Sequence, residues 1–282
     1  DMESAAEDIA ERLPGRRSIL FAHGVEVIPI KTATLPPADH TNCYLVGDPE
    51  GEFIVVDPAV RMREDMEALA TAVERHRGEL KAILFTHSHG DHLADMSLLR
   101  EAFDVPVWGS DYTAKSVPCQ RVLTDGETLT LGRQTWTVLI TPGHHPGHVC
   151  LFSEAGLVAG DMLAGIGTIL IPPHTGDMNE YLHQLERLKA LEPHLVFPSH
   201  GPVVAIPDRL IDHYLSHRRA RHARVLEAVR NGASQLVKIA EEAYADTPDA
   251  HPGLAVDQTL SHLRALAADG TVCEENGTWR TN

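Results

Sequence analysis

The chain runs to 282 residues, 43% hydrophobic and 23% charged, a balance that excludes global disorder and suits one large domain with a small appendage. Forty acidic against 24 basic side chains leave a formal charge of −16. No apolar stretch of about 18 residues occurs, so no membrane span is expected. Glu3, Glu7, Asp8 and Glu11 argue against a signal or transit peptide at the start, where residues 1–18 read as a polar arm. Cys43, Cys119, Cys150 and Cys273 form no CxxC, which fits reduced thiols and a cytoplasmic protein. Besides the acidity, the 18 histidines stand out.

Short apolar runs at Val25–Ile30, Cys43–Val46 and Phe53–Val56, separated by Pro, Gly and Asp, predict strands. Met66, Leu69, Ala70 and Val73 at helical spacing predict a helix over 63–76, ended by Gly78. A strand at 82–85, a His-rich loop and a helix near 96–103 follow. Further strands are expected at 105–108, 128–131, 135–140, 149–152 and 157–159, then a helix at 179–191 and a strand at 195–197. Cys43 and Cys150 fall inside strand patterns and read as core. Strands mixed with helices, and polar loops after several strands, predict a layered α/β sandwich. After Pro207 the pattern turns helical: 208–231, 234–244 and 254–268, then a hairpin at Gly270 and Gly277. This order resembles a winged helix. The expected organisation is a polar arm (1–18), a catalytic domain (19–206) and a helical, winged-helix-like domain (207–282). Residues 206–282 hold nine basic and eleven acidic groups, so a net −14 falls on the first 205.

The loop after the 82–85 strand reads Thr86-His87-Ser88-His89-Gly90-Asp91-His92. Imidazoles and a carboxylate, with no thiolate, suit a catalytic rather than a structural metal. In an extended loop His87 and His89 point to one side and reach one ion, while Asp91 and His92 face a second about 3.5–4 Å away. A polar helix start would account for Asp91 alone. Thr141-Pro142-Gly143-His144-His145-Pro146-Gly147-His148, Gly160-Asp161 and Pro198-Ser199-His200-Gly201 each follow a predicted strand, so loops at one sheet edge can converge.

This set resembles the metallo-β-lactamase-fold hydrolases, in particular the dinuclear glyoxalase II-like arrangement. The resemblance implies a four-layer αββα sandwich and two divalent ions, zinc first, with manganese or iron as alternatives. It implies His87, His89 and His144 on one ion, Asp91, His92 and His200 on the other, and Asp161 bridging. His148 would be a partner of the ligand shell. Catalysis would use water deprotonated between the ions, with Asp91 and Asp161 orienting it and handling protons. The usual Gly-Gly after the Asp-His pair is here Ala94-Asp95, which alters the helix entry but removes no ligand. His145 replaces a small residue and is expected to be exposed. Tyr214-Leu215-Ser216-His217-Arg218, with Arg221 and the tail, is similar to the branch containing β-lactamase-like protein 2, which includes a single-strand-specific endoribonuclease. Related fungal enzymes hydrolyse acyl-carrier-protein thioesters.

At about 100° per residue, Arg218, Arg219, Arg221 and Arg224 cannot all face one phosphate backbone. Arg218 and Arg221 lie toward the apolar face with Ile211, Tyr214, Leu215, Val225 and Val229. An ion pair with an acidic residue of the α/β part is expected there, and substrate-anion binding is the alternative. The tail reads as a packing or homodimer element. For His40-Thr41-Asn42 a turn is the default and an edge of the active-site mouth the alternative; for His174 and Asp177 the choice is a plain surface loop or one that overhangs the site. The acidity of the first 205 residues favours a small-molecule or acyl-thioester substrate. Single-stranded RNA is the runner-up, and a non-enzymatic binding module or a true β-lactamase comes after it.

Overall fold

The computed structural model describes residues 18–21 and 24–282; the expected polar arm lies, apart from Ser18, outside them. The chain forms two compact units. One takes the described residues up to Ile140, with Gly147–Gly167 and Pro193–Pro207. The other takes Thr141–Pro146, Thr168–Glu192 and Asp208–Asn282.

In the first unit, strands β1 (Ile19–Leu20), β2 (Val25–Lys31), β3 (His40–Gly47), β4 (Glu52–Val56), β5 (Glu79–Leu84), β6 (Val107–Gly109) and β7 (Arg121–Val122) form a sheet in that order. The first four pair antiparallel, and β4 to β7 pair parallel. Parallel neighbours need crossovers, supplied by helix α1 (Arg63–Arg75) between β4 and β5 and helix α2 (Met96–Ala102) between β5 and β6. A second sheet holds β8 (Thr128–Leu131), β9 (Gln134–Ile140), β10 (Val149–Ser153), β11 (Gly156–Gly160) and β12 (Val196–Pro198). Only β11 and β12 pair parallel there.

After its polar start, β3 is apolar from Cys43 to Val46 because both faces of its sheet are covered there. Tyr44 and Val46 point inward with Val25, Val27, Ile54 and Val56, and meet Trp136, Val138, Val149, Leu151, Val158 and Phe197 of the second sheet. Cys43 and Leu45 point outward with Phe53 and Val55, and meet Met66 and Leu69 of α1 and Leu99 of α2. Ala94 is buried in this outer layer, and the next residue, Asp95, caps α2 by accepting from the N–H groups of Ser97 and Leu98. The altered helix entry is thus a regular N-cap.

The second unit contains α3 (Met178–Lys189), α4 (Pro207–Arg230) from its second residue, α5 (Leu236–Ala243), α6 (Pro252–Ala268) and the hairpin β13 (Val272–Glu275) with β14 (Thr278–Thr281). Val225, Val229, Ile239, Leu263, Leu266, Val272 and Trp279 form its core. Asp177, expected in a surface loop, accepts from the Glu180 N–H and caps α3. No helix among the described residues is long and apolar enough to cross a membrane.

Candidate functional site

Parallel pairing brings the C-terminal ends of β4 and β5 to one edge. The first delivers Asp57 and the second delivers Thr86 and His87. The buried Asp57 carboxylate accepts the Thr86 N–H (2.8 Å), the Thr86 hydroxyl (2.6 Å) and the His92 Nδ1–H (2.9 Å). Because the Thr86 hydrogen goes to Asp57, its oxygen accepts the Nδ1–H of His87 at 3.0 Å. The Nε2 atom of His87 then stands 2.9 Å from Nδ1 of His89. His92 has its proton on Nδ1, which leaves Nε2 facing Asp161 Oδ1 at 3.5 Å and Asp91 Oδ1 at 3.9 Å. That buried nitrogen has no hydrogen-bond partner among the described residues.

The second sheet repeats the device, since β11 and β12 pair parallel and end in Asp161 and His200. His200 donates Nδ1–H to the His40 carbonyl (2.9 Å) and turns Nε2 toward Asp161 Oδ1 (3.3 Å) and Asp91 Oδ2 (3.6 Å). The N–H of Asp161 donates to Nε2 of the buried His148 at 2.9 Å, so His148 holds the Asp161 backbone. Gly160 makes this approach feasible: a Cβ there would stand 2.4 Å from His148 Nε2, on a backbone with φ of +52°. Cross-sheet bonds lock the edge, with the Val149 N–H on the Thr86 carbonyl (2.8 Å) and the Asn42 N–H on the Ser199 carbonyl (2.7 Å). His40-Thr41-Asn42, expected as a turn, is instead the start of β3. Its polar side chains brace the loops, Thr41 donating to the Asp91 carbonyl and Asn42 to the carbonyls of Pro198 and Gly201.

Burial would push the Asp161 carboxyl up, but the charges of His92 and His200 outweigh it and hold the group well below its usual range. Burial would likewise lower His92, yet Asp161 and Asp57 raise it well above an ordinary histidine; burial would lower His200 too, and Asp161 raises it. The donor atoms of His87, His92 and Asp161 lie within 4.8 Å of one another, as do those of Asp91, His92 and His200. Converging imidazole and carboxylate donors, one of them an orphaned buried nitrogen, fit a divalent cation.

The second unit holds His144. Gly143 has φ of +135°, and a Cβ on it would meet Tyr181 Cα of α3 at 2.4 Å, so the Thr-Pro-Gly-His turn runs hard against that helix. His144 is buried, and its Nδ1 donates to the Leu170 carbonyl at 2.6 Å, leaving Nε2 as the lone-pair nitrogen. His145, expected to be exposed, is 4% exposed.

Four arginines of α4, Arg218, Arg219, Arg221 and Arg224, are engaged within this unit. Arg218 donates to the Ile169 carbonyl and to Gln258 Oε1 (2.7 Å). Arg219 pairs with Glu186. The carboxylate that meets Arg221 is Asp246 (2.9 Å), from the tail and not from the α/β part as expected; its guanidinium also stacks 3.9 Å from the Tyr244 ring. Arg224 donates to the Ala243 carbonyl at 2.9 Å. The wheel correctly puts Arg218 and Arg221 inside, at 2% and 4% exposure. What it misses is that α5 and the loop after it curl back to supply Arg221's partners.

Asp57 is the functional residue that sequence reasoning misses. It follows an apolar strand, as His87 and Asp161 do, but a lone Asp at a strand end reads as a turn former. The usable signal was its position at the end of a strand neighbouring the His-rich loop.

A family model described as Metallo-beta-lactamase superfamily matches residues 36–200. The chain is similar to a beta-lactamase-like protein 2 homolog of Caenorhabditis elegans, 26% identical over 240 residues, covering 82% of this chain and 80% of that one. It is also 25% identical over 194 residues to an atrochrysone carboxyl ACP thioesterase of Aspergillus fumigatus, covering 68% of this chain and 60% of the relative. Among solved structures, a beta-lactamase domain protein from Burkholderia ambifaria superposes with a TM-score of 0.81 at 23% identity, over 97% of this chain and 96% of that one. The last likeness is one of fold.

Proposed function

We propose that this chain, which belongs to the metallo-beta-lactamase superfamily, cleaves an ester or thioester of a small molecule or acyl carrier. That it is a hydrolase follows from its family and from the hydrolases among its relatives; the substrate class is our reading. In this reading residues 19–206 are the catalytic domain and 207–282 an appended one. His87, His89 and His144 would hold one divalent ion, Asp91, His92 and His200 a second, and Asp161 would serve both. Zinc suits this donor set, and manganese or iron can replace it. When bound, such ions supply Lewis acidity, acidifying water and polarising the acyl oxygen.

The observation that carries the reading is the buried Nε2 of His92, aimed at two carboxylates with no hydrogen-bond partner. A shared cation satisfies that nitrogen and both carboxylates together. The chain's own groups do the rest. Asp57 keeps the His92 proton on Nδ1, and the His40 carbonyl does the same for His200. His148 fixes Asp161 through its backbone N–H. Asp91, partly open to solvent, takes the proton that water gives up as its oxygen adds to the acyl carbon. It returns that proton to the departing sulfur or oxygen as the bond to it breaks.

An acyl substrate is favoured over RNA because the acidity lies on the first 205 residues and Arg218, Arg219, Arg221 and Arg224 of α4 are already engaged by neighbouring oxygens. The relative from Aspergillus, named a thioesterase, supports the same choice. The test is elemental analysis paired with turnover of a thioester, a lactone and single-stranded RNA. Two metal equivalents and thioester turnover, both lost in His87→Ala, are expected. Undiminished activity in metal-free protein overturns the reading, and RNA cleavage in place of thioester turnover overturns its substrate class.

A further inference from the structure

His144 owes its orientation to a backbone oxygen, and that oxygen belongs to a stretch with no helix or strand to hold it. The acceptor of its Nδ1–H is the Leu170 carbonyl, at 2.6 Å, within residues 168–173, which lie outside any ladder. Side chains do the holding, and they come from the two long helices that follow residue 207. On one side of Leu170, the Ile169 carbonyl accepts from Arg218 of α4. On the other, Gln258 of α6 brackets the next residue, donating to the Ile171 carbonyl at 2.9 Å and accepting its N–H at 3.4 Å. Ser261, also of α6, donates to the same carbonyl at 2.7 Å. Arg218 and Gln258 are joined at 2.7 Å, so the two clamps form one network. Arg264 adds a bond to the Pro173 carbonyl.

We propose that Arg218, Gln258 and Ser261 are positioning residues for His144, acting through the Leu170 carbonyl to set the direction of its Nε2. The proposal rests on the reading of His144 as a metal ligand. Its physical basis is the cost of the alternative. A guanidinium at 2% exposure that meets carbonyl and amide oxygens is expensive to bury. Here, with Gln258 and Ser261, it holds a segment that has no helix or strand of its own. A carbonyl fixed on both sides fixes the imidazole tautomer and ring plane, and so the lone pair that a cation needs. Residues 169–171 thus transmit the packing of α4 and α6 to one nitrogen.

The test measures zinc, not turnover alone. Ser261→Ala removes one oxygen and Gln258→Leu keeps the volume, so the double variant is expected to fold, as circular dichroism and the melting temperature report. In a chelator competition, one of the two zinc equivalents is expected to weaken about tenfold while the other is unchanged. The cobalt-substituted protein is expected to show an altered absorption spectrum for one ion only. Arg218→Lys, which can still donate to the Ile169 carbonyl, is expected to weaken that zinc less than Arg218→Met. If both zinc equivalents weaken equally, or neither does, in a folded variant, the positioning role is wrong. His144→Ala serves as the control for the underlying reading. If it still binds two zinc ions as tightly as the unsubstituted protein, the assignment of His144 is wrong and the positioning proposal falls with it.

Discussion

Replacing Asp57 by Asn is the sharpest probe of how the site is braced. Asn tolerates the positive φ of 47° at this position, so the backbone is not the variable. The carboxylate accepts from three donors, at 2.8, 2.6 and 2.9 Å. A carboxamide keeps one acceptor oxygen and sets an NH2 against a donor. With its oxygen where Oδ2 stood, the bonds from the Thr86 hydroxyl and His92 survive without charge assistance, and the Thr86 N–H loses its partner. A buried orphaned donor costs about 1–3 kcal/mol, and hydrogen bonds to a charged acceptor exceed neutral ones by about a factor of two. The expected loss is therefore about 2–4 kcal/mol. Because His92 is no longer held as firmly, zinc affinity is expected to fall about 10–100-fold. Urea unfolding of chelator-treated protein followed by tryptophan fluorescence gives the first number, and competitive zinc titration gives the second. An Asn variant within about 0.5 kcal/mol of the parent, with unchanged zinc affinity, would refute the view that Asp57 organises the loop.

Gly143→Ala is expected to destabilise by about 3 kcal/mol or more, through the positive φ and the 2.4 Å approach to Tyr181 Cα; chemical denaturation checks it. Trp136→Ala empties a fully buried site between the sheets and is expected to cost about 3–5 kcal/mol by the same assay. Burial would raise Glu26, but hydrogen bonds from His76, Ser18 and Arg75 hold it at about 2. Its folded value is thus depressed: its contribution is complete above the unfolded value of about 4.5 and is lost as pH falls toward 2. At pH 3 this amounts to at most about 2 kcal/mol, reduced by water screening at the partly exposed Arg75. Glu26→Gln should flatten that part of the stability–pH curve, and an unchanged acid limb would count against the network.

The candidate ligands were legible because their chemistry and their position coincide: His87, Asp161 and His200 each follow a short apolar run, and residue type says the rest. The layered sandwich was legible for a related reason, since runs such as Cys43–Val46 are apolar on both faces only when both are covered. What escaped were residues whose role depends on a partner far away in sequence. Asp57 acquires meaning from Thr86 and His92, Asn42 from Pro198 and Gly201, and Arg221 from Asp246. No local pattern encodes those pairings. His145, which replaces a small residue and is expected to be exposed, is buried. Asp95 shows the reverse case, in which an apparent departure from a motif is a cap readable from Asp-x-Ser-Leu alone.

The pairing of β12 beside β11 has a consequence in time. During synthesis the His87–His92 loop emerges long before the strand that delivers His200, and at roughly 5–20 residues per second the interval is on the order of ten seconds. For most of that interval the nascent chain lacks Asp161, and throughout it the chain lacks His200. On the metal reading proposed above, an ion caught then would meet only a partial shell, and the donor set would be complete only once β12 has brought His200 beside Asp161.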